Sequence, residues 1–71
     1  MHPVYTQHAR AQMAEHQITE AEVEETLRQP RRRVTSRSTG NLIFFGQPQG
    51  RRIAVVVACG SRPPRVVTVW D

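Results

Sequence analysis

The chain has 71 residues, with ten arginines, no lysine, six acids and one cysteine, for a net charge of +4. That length allows a single domain, 1–71, near the lower limit for a self-sufficient core, and one cysteine excludes an intramolecular disulfide. No apolar run approaches the roughly twenty residues of a membrane span.

The distribution of charge says more than its total. Glu15, Glu20, Glu22, Glu24 and Glu25 supply five of the six acids. Between Thr26 and Trp70 there is no acid, yet nine of the arginines fall there. A fold that keeps the two halves distinct presents a basic surface, and arginine's planar fork suits phosphate better than lysine does. Nucleic acid is therefore the expected partner class. The free cysteine and the lack of a signal peptide make the cytoplasm the expected location.

In chain order, residues 1–4 read as a short extended lead containing Pro3. Tyr5 to about His16 reads as a first helix with Thr6 as N-cap; Tyr5, Ala9, Met13 and His16 recur along one side at helical spacing. His8, Gln12 and Glu15 form a neighbouring polar stripe. A second helix is announced by Thr19 as N-cap with Glu22 three positions later, a capping box, and by an Ile18–Val23 staple. Pro30 stops it near Arg28 or Gln29. The acids of this segment are accounted for as helix-start chemistry.

After Pro30 the period changes. Arg31–Ser38 alternates weakly and reads as an exposed edge strand guarded by arginines, a candidate homodimer contact. Gly40-Asn41 is a tight-turn signal before the apolar run Leu42–Phe45. Ile53–Cys59, seven apolar residues bounded by Gly50 and Gly60, reads as a strand buried on both faces, with Cys59 a small buried hydrophobe. Arg65–Trp70 closes the sheet. Three closely spaced runs leave no room for helical crossovers, so the expected fold is α+β: two N-terminal helices, about 5–29, packed on one face of a four-stranded antiparallel meander, about 32–71.

In the last strand, alternation puts Val67 and Val69 toward the helices and Val66, Thr68 and Trp70 on the other, open side. A hydroxyl, an indole and nearby arginines there make a candidate nucleotide groove. The arginines expected to meet phosphate are Arg10, Arg33, Arg37, Arg51 and Arg65, with Trp70 beside them. A metal site built on His2, His8 and His16 is not expected, because they lack acidic neighbours and ligand spacing.

Thr6-Gln7-His8-Ala9-Arg10-Ala11-Gln12-Met13 followed by His16-Gln17-Ile18-Thr19-Glu20-Ala21-Glu22-Val23 resembles the opening of the domain of unknown function 4258 family. Gly50–Val57 and Val66–Trp70 look like its last two strands, and the resemblance runs from about Tyr5 to Asp71. That family's plan is similar to the barnase/EndoU/colicin/RelE-like group of small toxin ribonucleases. The resemblance implies metal-independent RNA cleavage by 2′-hydroxyl attack, without a cofactor, with His8, Arg52 (or Arg51) and Thr68 at the matching positions.

The chemistry of those residue types is coherent. Such cleavage needs a proton acceptor, a proton donor and fixed positive charge for the transition state. Histidine fills either proton role, and arginine the third. The expected function is thus a toxin-like endoribonuclease held by an acidic antitoxin or immunity protein. The competing reading is a non-catalytic RNA- or protein-binding module on the same arginine-rich face. Gln12, standing where the family pattern usually has arginine, favours the second.

Overall fold

The computed structural model describes residues 2–71. Its elements are β1 (Val4–Tyr5), α1 (Gln7–His16), α2 (Glu20–Arg28), β2 (Arg32–Thr35), β3 (Leu42–Gly46), a 3-10 turn (Pro48–Gly50), β4 (Ile53–Val57) and β5 (Arg65–Trp70).

Both helices start on threonine. Thr6 Oγ1 accepts from the Ala9 amide at 3.0 Å and also donates to the Val67 carbonyl at 3.0 Å, so the cap of α1 is tied to β5 as well. Thr19 and Glu22 make a complete capping box: Thr19 Oγ1 accepts from Glu22 N at 3.1 Å, and Glu22 Oε1 accepts from Thr19 N at 2.9 Å. A cap of this kind stabilises by about 1 kcal/mol. Between the helices the chain reverses at Gln17, whose φ of 56° is left-handed. The Ile18 amide then reaches back to the Met13 carbonyl at 2.8 Å, a helix-ending geometry usually given to glycine. Pro30 follows the end of α2 by two residues.

The sheet order is β1-β5-β4-β3-β2, with β1 parallel to β5 and every other pairing antiparallel. The expected four-stranded antiparallel sheet is therefore a five-stranded mixed one. Residues Val4 and Tyr5 are too few to show a period. What makes them a strand is main-chain pairing, Val4 N to Pro64 O at 2.8 Å and Thr6 N to Val66 O at 3.1 Å. The helices also divide their work: α1 packs against β5, and α2 against β3, β4 and the 3-10 turn.

The core is valine-rich. Ile53, Val55 and Val57 of β4 meet Val66 and Val69 of β5, Ala9 and Met13 of α1, and Ile18 and Val23 from the α1–α2 turn and α2. Each fully buried valine stabilises by roughly 1.5–2 kcal/mol. Every residue of β4 is buried, including Ala54 and Val56 on the face turned away from the helices. At Gly46 the backbone of β3 comes so close to α2 that a Cβ there would sit 2.8 Å from Thr26 Cγ2.

Two expectations about the ends of strands are corrected. The register between β4 and β5 slips at Val56/Val57, which pair with Thr68 and Val66. Val67 is the extra residue of this bulge. The bulge resets the alternation, so Val66 rather than Val67 joins Val69 in the core. Thr68 and Trp70 remain opposite Val69. Cys59, expected buried, is exposed. Its strand ends at Val57 because β3 begins at Leu42, the partner of Val57; beyond it the chain turns, and the Cys59 amide donates to Asn41 Oδ1.

Among the described residues no helix is long and apolar enough to cross a membrane.

Candidate functional site

The register sorts the arginines by position. Arg32 pairs with Phe45, which pairs with Ala54, which pairs with Trp70. These four form one cross-strand row on the face opposite the helices. Arg52 is two residues before Ala54 on the same strand direction, and Arg31 immediately precedes β2. One end of the open face thus gathers Arg31, Arg32 and Arg52 around an aromatic floor.

That end is concave. Phe45, Ala54 and Trp70 form the bottom of a groove of about 300 Å³ whose rim includes Arg31, Gln47, Arg52 and Asp71. Trp70 keeps 37% of its surface exposed. An aromatic floor beneath guanidinium groups is able to stack a base and contact its phosphate at once.

Asp71 connects the groove to α1. Its Oδ1 lies 2.8 Å from His16 Nδ1, with both side chains about one-third exposed. His16 sits in the last turn of α1, so this contact joins a helix end to the residue following β5. Neither partner is among the site residues expected from sequence. They are 55 positions apart, and the one signal was that Asp71 is the lone acid after the acidic helix.

The residues singled out from sequence do not assemble into one site. Arg52 and Trp70 line the groove. Thr68 is on the same open face, opposite Val56 and two pairs along from Trp70. His8 is exposed on the first turn of α1, and among the described residues no hydrogen bond or ion pair ties it to Thr68 or Arg52. Arg33 pairs with Phe44, which packs on the core, so it lies on the helix side with its guanidinium 6.0 Å from that ring. Arg37 and Arg65 are at the opposite end of the sheet, beyond Thr35 and at the start of β5.

Two other arginines are already engaged. Arg10 stacks over the Tyr5 ring at 4.6 Å and pairs with Glu20 at 2.6 Å. Arg51 donates to the Gln17 carbonyl at 2.9 Å and lies 3.6 Å from Glu22 Oε1, the buried carboxylate of the capping box. Arg51 therefore braces the α1–α2 turn, while its neighbour Arg52 faces the groove. Beside Arg10, burial, and then the carboxylates of Glu20 and Glu24, push the Tyr5 phenol up to about 12, against the opposing pull of Arg10.

His2 has a different carboxylate from His16, lying 3.6 Å from Glu24. Among the described residues no three His, Cys, Asp or Glu side chains converge as metal ligands.

Compared with known proteins, the chain matches no curated protein and no solved structure. The family described as Domain of unknown function (DUF4258) matches residues 5–71. That span takes in both helices, β2 to β5 and the groove, and the chain belongs to this family.

Proposed function

We propose that this protein binds single-stranded RNA in the groove at the Trp70 end of the open sheet face. The observation that supports it is the combination of Phe45 and Trp70 as a stacking floor with Arg31, Arg32 and Arg52 around it, on the face the helices leave uncovered. Base stacking on such residues contributes about 1–3 kcal/mol per base, and phosphate contacts make the affinity fall steeply with salt. Trp70 is the sole tryptophan, so its fluorescence reports occupancy directly. Titration with a short single-stranded oligoribonucleotide should quench it, with affinity falling as salt rises. Duplex RNA binding as tightly as single strands, or a salt-independent affinity, would count against this reading.

A second reading adds cleavage: a metal-independent, toxin-like endoribonuclease with a fold similar to the barnase/EndoU/colicin/RelE-like group. The observation favouring it is that Asp71, on the groove's rim with Arg31 and Arg52, is also in contact with His16. In this reading the protein works in the cytoplasm, where the exposed Cys59 thiol stays reduced. An acidic antitoxin or immunity protein covering Arg31, Arg32 and Arg52 restrains it. Growth arrest on induction, relieved by co-expressing such a partner, is the result it requires.

A further inference from the structure

We propose that His16, positioned by Asp71, is the residue that takes the 2′-hydroxyl proton when RNA lies in the groove. This rests on the cleavage reading above and assigns its proton acceptor to a different histidine from His8.

Three observations carry it. The His16 Nδ1 to Asp71 Oδ1 distance of 2.8 Å fixes one ring nitrogen on a carboxylate, which leaves Nε2 as the nitrogen available to accept a proton. Asp71 lines the groove and is in contact with His16, whereas His8 is exposed on the first turn of α1 and, among the described residues, no side chain is hydrogen-bonded to it. Arg31 and Arg52 line the same groove and need no proton exchange to stabilise a dianionic phosphorane. The other charged groups at this end of the sheet are Arg32, opposite Phe45, Glu25, which shares a neighbouring pocket with Arg31, and Arg51, which donates to the carbonyl of Gln17 and lies 3.6 Å from Glu22 of α2. Asp71 is the carboxylate in contact with the imidazole.

The step balances within RNA and water. Nε2 of His16 takes the 2′-hydroxyl proton, and the 2′-oxygen forms a bond to the adjacent phosphorus. The bond from phosphorus to the 5′-oxygen breaks, its electron pair staying on that oxygen, which takes a proton from water. The imidazolium then returns its proton to solvent. The products are a 2′,3′-cyclic phosphate and a 5′-hydroxyl. Asp71 acts through the imidazole and is a positioning residue.

The test uses the full chain and a single-stranded oligoribonucleotide carrying a fluorophore and a quencher. The expected result is cleavage to a cyclic phosphate, with none of the all-2′-deoxy oligonucleotide. His16→Gln should lower the rate by about 100-fold or more and remove the rising limb of the pH–rate profile, while Trp70 quenching by RNA is retained. Asp71→Asn should lower the rate by roughly 10-fold and displace that limb, and His8→Gln should do neither. Circular dichroism checks the fold, and His16→Asn serves as a second variant. The unsubstituted protein's own pH profile is a check that needs no variant: the rate must rise with pH, as deprotonation of the acceptor requires. Cleavage that survives His16→Gln but not His8→Gln overturns the assignment and leaves the cleavage reading standing. RNA binding without any cleavage overturns both and leaves the binding reading.

Discussion

Arg51 and Arg52 are adjacent in sequence and have opposite surroundings, so replacing each with methionine should give opposite phenotypes. Methionine keeps most of the apolar stem of the side chain and removes the guanidinium. At Arg51 the loss includes the 2.9 Å hydrogen bond to the Gln17 carbonyl, a charge-assisted contact of about 1.5–3 kcal/mol. The ion pair with Glu22 adds less, because 35% of the arginine side chain is in solvent; such pairs contribute at most about 1 kcal/mol. Arg51→Met should therefore destabilise by about 2 kcal/mol, lowering Tm by roughly 10 °C in a domain this small. Arg52 is exposed, so Arg52→Met should change stability by no more than about 0.5 kcal/mol. In the RNA titration the effects reverse. Arg52→Met should weaken binding several-fold and reduce the salt slope by about 0.7, the value for one phosphate contact on a single strand. Arg51→Met should leave the slope unchanged at temperatures where it is folded. Urea unfolding and Trp70 fluorescence read both quantities on the same samples. If Arg51→Met is as stable as the unsubstituted protein, or if both variants lose the same slope, the division of labour between the two arginines is wrong.

Gly46→Ala should destabilise by about 1–2 kcal/mol in urea unfolding, since the new Cβ would lie 2.8 Å from Thr26 Cγ2. Adding Thr26→Ser removes that methyl and should recover part of the loss. Gln17→Gly should stabilise by about 0.5–1 kcal/mol by relieving the left-handed backbone at φ 56°, without touching the carbonyl that Arg51 uses. Tyr5 is the sole tyrosine, so tyrosinate absorbance titrates it alone. Its phenol should ionise near 12 rather than 10.0. The neutral form is thus favoured by folding: its contribution to stability is whole below pH 10 and is lost as the pH rises toward 12. Glu20→Gln should lower the midpoint.

The helical half was legible because its signals are local. Thr19, Glu22 and Pro30 are read within a dozen residues, and each does in the structure what its chemistry dictates. Leu42–Gly46 and Ile53–Val57 announce themselves by β-branched and aromatic content bounded by glycine and proline. What the sequence hides depends on distant partners. β1 is a strand only because Pro64 and Val66 accept from it, and the bulge that turns Val66 inward is a property of two strands, not one. The same holds at the groove. Arginine-rich composition pointed to a basic face, but the pairing of Arg32 with Phe45 and Trp70 with Ala54 selects which arginines share it. His16, read as a helix-end residue, becomes chemically interesting only when Asp71 arrives beside it.

The parallel pairing of β1 with β5 also sets an order of events for folding. Val4 and Arg65 are neighbours in space across an interval of 61 residues. Closing a loop of that length costs about 4 kcal/mol in chain entropy, more than a two-residue ladder returns. The pairing therefore depends on the hairpins of β2 to β5 and the docking of α1 being in place first, with Thr6 bonded to Val67 as the latch. In the native ensemble this edge should be the first to open, so the amides of Val4 and Thr6 should exchange with solvent well before those of β4, and their protection should not report global unfolding.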